Sequence, residues 1–461
     1  GFCPVFPAET GIRAFFIFNT TDMVRQIAFA VTLLITLGVF AFTINRLISY
    51  FRFTKASFPV RDLGKRFRVM LEVAIGQTKI FRHPVMGFFH ALVFWGFCVI
   101  AFGSIEMVID GLSGAERSLR VLGGFHDFIM ASGDIFALLV TISILIFLSR
   151  RLFVHVKRFE GIEMKKKSHQ DANLALSMIL LLMISLLGMN AAYVQMQTDA
   201  GEPIYGVYPV GAALSVLLAG LSPQGLHLAH EVFWWAHILL IFAFANILPY
   251  SKHFHVFMSV PNTFLTRLEP LGKLTNMDDI TREVKLMLDP ETAFSAPAAE
   301  TPVGRFGVKD VEDVSWKNYF DSLSCTECGR CTAVCPANTT GKMLSPRKIF
   351  MDLRARMKEK GPGLVKNGRE FSDNRSLLRD YISEAELWAC TTCNACAQEC
   401  PVNINHPTLI VDMRRYLVME ESSAPGGLKT MFSNIENNGA PWQYSPEDRL
   451  LWAENLEIKV S

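Results

Sequence analysis

The sequence predicts a mainly α-helical protein: a five-span transmembrane bundle followed by an all-helical soluble domain. Three observations carry this. Hydrophobic residues make up 50% of the 461 residues and charged ones only 19%. The long apolar runs lie within residues 1–260, whereas 262–461 has an ordinary soluble mixture. Eight of the ten cysteines fall in two short runs separated by helix-like patterns such as 346–358 and 374–388. A connection that long and helical differs from the short, strand-rich link of compact ferredoxins.

The spans come first along the chain. Apolar runs over approximately 23–49, 84–109, 126–149, 172–196 and 228–250 are each long enough to cross about 30 Å of hydrocarbon. A sixth stretch, 204–221, is broken by Pro209, Gly211, Gly220 and Pro223 and reads as interfacial or re-entrant. Lysines and arginines crowd the connection after span one (Arg46 to Arg82) and after span three (Arg150 to Lys167), while the 197–227 connection has none. The positive-inside rule then places the N-terminus outside and the C-terminal domain in the cytoplasm, in a multi-pass protein of the cytoplasmic membrane. The Lys165–Lys167 run is placed to meet anionic lipid.

Ser295–Arg305, small and proline-bearing, reads as a flexible linker. The expected organisation is 1–260 membrane domain, 261–314 cytoplasmic linker, 315–420 soluble domain and 421–461 tail.

The soluble domain carries Cys325-x2-Cys328-x2-Cys331-x3-Cys335-Pro336 and Cys390-x2-Cys393-x2-Cys396-x3-Cys400-Pro401. Three thiolates at this spacing take three corners of a [4Fe–4S] cubane, and the Cys before proline reaches the other cluster. Cluster I is therefore expected on Cys325, Cys328, Cys331 and Cys400, and cluster II on Cys390, Cys393, Cys396 and Cys335. Structural zinc needs four ligands per site and no fourth Cys-Pro. Thiolate clusters also imply a reducing compartment.

A polar ring inside a membrane helix is a functional-site hypothesis by default. His90 lies a little inside the cytoplasmic end of span two. His237 and His255 are 18 residues apart, five helical turns, and share one face if the helix continues. His253 would point to nearly the opposite side. Two histidine levels on one face are what stacked haems need, so His90 with His255 is the expected inner pair. His237 is the outer ligand, opposite His126, with His230 in reserve. Asp134 reads equally as a proton or quinone contact and as a satisfied buried carboxylate. Glu106 and Asp110 read as interfacial, Trp95, Trp234 and Trp235 as packing aromatics, and Cys98 as a small apolar filler. Cys3 has no assigned role.

Phe89-His90-Ala91-Leu92, Ser149-Arg150-Arg151-Leu152-Phe153 and Pro249-Tyr250-Ser251-Lys252-His253-Phe254-His255 make the membrane half resemble the haem-b subunit of respiratory nitrate reductase and its relative in membrane-bound heterodisulfide reductase. The resemblance implies His255 and His90 as inner-haem ligands and His237 as an outer one. That family places another ligand about ten residues past the first on span two, where this chain has Ile100. The soluble half, over about 315–420, resembles the ferredoxin-like part of heterodisulfide reductases. The tail Asn434–Trp442 is similar to a segment that in fused relatives precedes adjacent-cysteine repeats, and this chain has no Cys-Cys pair.

The expected function is electron transfer between a cytoplasmic partner and a quinone, through two [4Fe–4S] clusters and one or two haems b. The partner is either a subunit with adjacent-cysteine iron–sulfur repeats or a flavoprotein. A non-enzymatic electron-relay anchor in a respiratory supercomplex, without its own quinone site, is the alternative. No Rossmann or P-loop glycine pattern suggests NAD, FAD or ATP, and nothing points to nucleic acid.

Overall fold

The computed structural model describes residues 20–289 and 305–456. Cys3 and nearly all of the expected 295–305 linker lie outside them. The described residues are 72% helical, and among them β-pairing is confined to the isolated bridges Lys55–Ser315 and Leu378–Ile382.

Among the described residues five helices are long and apolar enough to cross a membrane: α1 (Thr20–Tyr50), α3 (Pro84–Ser113), α4 (Gly124–Phe153), α5 (Lys166–Ala200) and α7 (Pro223–Ile247), with α2 (Leu63–Met70) and α6 (Pro209–Ser215) between them. α6 runs on through a 3-10 turn to Leu218 and is too short to cross, as its prolines and glycines predict. α5 is the most enclosed and packs against α4, α6 and α7. α1 is peripheral, with Leu34, Ile35 and Phe42 all more than half exposed, which suits a lipid-facing surface.

Local chemistry explains where these helices stop. Ser222 caps α7 by accepting from the Gly225 N–H at 3.2 Å, with Pro223 in the first turn. At the other end Pro249 has no N–H to continue the ladder. The chain instead makes 3-10 turns at Leu248–Tyr250 and Lys252–Phe254 before α8 (His255–Phe264) begins. The helix carrying His237 therefore does not continue to His255.

After α9 (Asp278–Leu288), the C-terminal domain is built from α10 (Trp316–Ser324), α11 (Arg330–Ala333), α12 (Pro336–Thr339), α13 (Pro346–Asn367), α14 (Glu384–Trp388), α15 (Ala395–Glu399) and α16 (His406–Met419), then α17 (Gly426–Asn438). Ser345 caps α13 and Asn405 caps α16. The expected helical pattern over 374–388 breaks, because Arg379 takes φ +73 and only α14 is regular. Ile349, Phe350, Leu353, Leu409 and Ile410 are fully buried, each contributing about 1.5–3 kcal/mol.

The two halves share one core. Leu47, Tyr50, Leu248 and Phe254 join the same buried cluster as Val311, Tyr319 and Leu353. Val308, Val311 and Asp310 are buried in it, so the ordered C-terminal domain begins ahead of residue 315. Asp310 alone takes Arg356 at 2.8 Å and Lys360 at 2.9 Å. The basic connections after α1 and α4 meet this domain: Arg82 bonds the Gln398 carbonyl and Arg347 bonds that of Arg158, both at 2.8 Å.

Candidate functional site

Each cysteine run curls the same way. Glu327 and Gly329 follow Cys325 by two and four residues with φ +56 and +75, and Thr392 and Asn394 follow Cys390 with φ +53 and +61. Gly329 is required for a second reason: a Cβ there would sit 2.2 Å from the Arg158 carbonyl oxygen. The curled runs bring Cys325, Cys328, Cys331 and Cys400 around one hollow. Cys390, Cys393, Cys396 and Cys335 surround a second. Burial pushes the Cys325 thiol up to about 11 and those of Cys396 and Cys400 up to about 12, so cluster loading would have to displace their protons.

Above the first hollow lies a cavity of about 550 Å³, inside the range of cofactor sites. Cys328, Arg330 and Pro401 form its floor region, and Ser104 and His237 lie on its wall farther up α3 and α7. His90, His237, His253 and His255 line it, with Arg150, Arg151, Arg158 and Lys252.

The rings are held from behind. His90 Nδ1 lies 3.2 Å from Gln77 Oε1, His255 Nδ1 3.1 Å from the Lys252 carbonyl, and His237 Nδ1 2.9 Å from the Leu182 carbonyl. Donation to these oxygens puts the proton on Nδ1 and leaves the Nε2 lone pair unprotonated. In His237 that Nε2 is buried without a partner. His253, expected on the opposite side, shares the cavity, its ring centroid 5.9 Å from that of His255. The break at Pro249 re-aims both rings.

The structure does not bring His126 to this cavity. Its Nε2 lies 3.0 Å from Glu106 Oε1, which also accepts from the Leu119 N–H. Glu106, read as interfacial, is 1% exposed, and a buried carboxylate needs such donors. His230 packs beside Tyr193 and is likewise off the cavity wall. Ile100 lines the cavity where a second span-two ligand was sought. Asp134 accepts from the Val210 and Gly211 N–H groups at 2.6 and 3.0 Å and from Asn190 at 3.0 Å, so it fastens the start of α6. Asp110 accepts from the Arg117 and Ser118 N–H groups. Trp234 is buried against Phe29, and Cys98 is exposed.

Sequence reasoning missed the groups that join the cavity to the first hollow. Lys252 Nζ lies 3.3 Å from Glu327 Oε2, and Arg354 pairs with the other oxygen of Glu327. Burial opposes the Glu327 charge, but Arg354 and Lys252 outweigh it and hold its carboxyl below the usual range. Lys79 Nζ bonds the Cys400 carbonyl at 3.2 Å, and Asn262 that of Val402 at 2.8 Å. The one available signal was the presence of Lys and Glu inside otherwise functional motifs.

Residues 324–404 match a family described as a 4Fe-4S dicluster domain. A probable iron-sulfur-binding oxidoreductase, FadF, of Bacillus subtilis is 28% identical over 90% of this chain and 59% of its own length. The EtfAB:quinone oxidoreductase of Syntrophomonas wolfei is 27% identical over 93% of this chain and 60% of its own. A probable membrane-anchored ferredoxin of Chromohalobacter salexigens is 33% identical over 56% and 38%. The chain thus spans about 60% of the length of the first two relatives. No solved structure matches. The chain is a helical membrane protein with a 4Fe-4S dicluster domain, related to iron–sulfur oxidoreductases.

Proposed function

We propose that this chain is the membrane-embedded electron-transfer subunit of a quinone-linked oxidoreductase. The observation that carries this is the continuity of the histidine-lined cavity with Cys328 and Arg330 beside the first thiol hollow. The clusters and haem, when bound, supply one-electron transfer; the chain fixes their order.

Cys325, Cys328, Cys331 and Cys400 hold cluster I against the membrane half, and Cys390, Cys393, Cys396 and Cys335 hold cluster II. The wall of the second hollow comes wholly from residues 335–410, and Cys393 is exposed there, so cluster II meets the soluble partner. His90 and His255 hold haem b through Nε2, with Arg150, Arg151 and Arg158 placed for its propionates. The buried, unpartnered Nε2 of His237 favours a second haem farther along the cavity. The density of lysine and arginine on the connections that meet the C-terminal domain supports a cytoplasmic location for it. Trp442, Tyr444, Leu450 and Trp452, all exposed on the tail, suit docking of a flavoprotein or of a subunit with adjacent-cysteine repeats.

The full chain in nanodiscs, given a reduced one-electron flavin donor and menaquinone, should reduce the quinone. His90→Ala and Cys331→Ala should each lower that rate at least tenfold. An undiminished rate in both variants rejects the proposed route.

A further inference from the structure

One buried group faces the first hollow with no role in ligation. His406 opens α16 six residues after Cys400, is 1% exposed, and lines the hollow together with Cys325, Cys328, Cys331 and Cys400. Its ring meets Phe350 nearly perpendicularly, centroids 5.1 Å apart, which fixes its plane. Neither Nδ1 nor Nε2 meets the distance and angle of a hydrogen bond; the Ile404 backbone is close enough to act on the ring as a weak acceptor. A neutral imidazole always carries one N–H, and a buried donor without an acceptor destabilises a fold. The acceptor that fits the position is sulfur of the group for which the hollow is shaped.

The second hollow lacks this feature. Six residues after Cys335, the counterpart of Cys400, stands Gly341, which is not on that hollow's wall. Besides its cysteines that wall has Pro336, Leu344, Pro346, Pro407 and Ile410, with Thr391 and Asn394 as its polar members, and the Asn394 amide donates to the Thr392 carbonyl at 3.0 Å. The first hollow's other polar members are Thr326, which is only half-buried, and Arg347, which is committed to Glu163 at 2.7 Å.

We propose that His406 donates its ring N–H to a sulfur of cluster I, raising the reduction potential of that cluster above that of cluster II. Hydrogen bonds to cluster sulfur stabilise the more negative, reduced form. One electron then leaves cluster II and enters cluster I downhill, toward the membrane, and no bond forms or breaks. His406 is a positioning and tuning residue, not a ligand. The inference rests on the two-cluster reading above and adds a direction to it.

The test is a redox titration of the purified full chain followed by the electron paramagnetic resonance of its reduced clusters, for wild type, His406→Phe and His406→Gln. His406→Phe should shift the reduction equilibrium of cluster I at least tenfold toward the oxidised form, about 59 mV for one electron, with cluster II unmoved. His406→Gln, which keeps an N–H, should recover most of the shift. In wild type labelled with 15N-histidine, the reduced cluster I signal should show a weak nitrogen coupling that His406→Gln removes. This measurement decides the matter if His406→Phe loses the cluster. Unchanged potentials in fully loaded variants, or no nitrogen coupling in wild type, overturn the role of His406 alone. Wild type with fewer than two clusters instead overturns the reading beneath it.

Discussion

The thiol hollows take their ligands from two short stretches, Cys325–Cys335 and Cys390–Cys400, each curled by its own pair of left-handed residues. The histidine cavity takes His90 from α3, His237 from α7, His253 from the turns after it and His255 from the start of α8. It steadies three of those rings with Gln77, Leu182 and Lys252. One site type is written in chain spacing, and the other is assembled across helices. The first should therefore fail ligand by ligand, and the second through its supports as well.

The largest expected effect breaks the first half of that comparison. Cys335→Ser should remove the cluster held by Cys390, Cys393 and Cys396 and leave the other, halving cluster iron. If the spectrum instead loses the cluster of the run in which Cys335 itself sits, the crossed arrangement is wrong.

The next probes the join. Lys252 and Glu327 are both nearly buried, with side chains 7% and 8% exposed. Lys252→Met strips a partner from a buried carboxylate, a loss of about 3–5 kcal/mol in comparable pairs, read in thermal unfolding. It should also slow electron exchange between cluster I and the cavity. Glu327→Gln with Lys252→Met should recover part of the stability, and no recovery would mean the pair is not coupled.

A smaller loss is expected from Gly329→Ala. Left-handed backbone in a residue with a side chain costs about 1–3 kcal/mol, and the new Cβ would press on the Arg158 carbonyl. Asn394→Ala should be milder, because it lacks that carbonyl. Equal losses at the two positions would deny the close approach of the α4–α5 connection.

The smallest effect is on pH dependence. Hydrogen bonds from Arg356 hold Asp373 down at about 2. A depressed folded value gives stability that is complete above the ordinary value of about 3.9 and is lost as pH falls toward 2. Asp373→Asn should therefore unfold more easily than wild type at pH 5, with the gap closing by pH 2. A constant gap would mean the contribution is not electrostatic.

How much was legible follows the same division. Spacing alone groups the cysteines as the two hollows do, because the chemistry needs residues a few positions apart, and hydropathy places all five long helices with ends within six residues. A continuous helix from His237 to His255 would put both on one face, yet Pro249 and the Ser251 cap end it, and both residues are visible in the sequence. Glu106 with His126, and Asp134 with the α6 amides, depend on partners that no local pattern specifies. The same is true of Glu327, which draws on Ser168, Lys252 and Arg354 from three separate elements.

The proposed route depends most on haem b held by His90 and His255 in the cavity beside the first hollow. The most direct test is the reduced-minus-oxidised and pyridine haemochrome spectrum of the purified chain, alongside its iron content. The account predicts a b-type haem with eight cluster irons per chain, and loss of the same haem signal in His90→Ala and His255→Ala with the cluster iron retained. A chain with full cluster iron and no haem, or a haem that survives both substitutions, would contradict it.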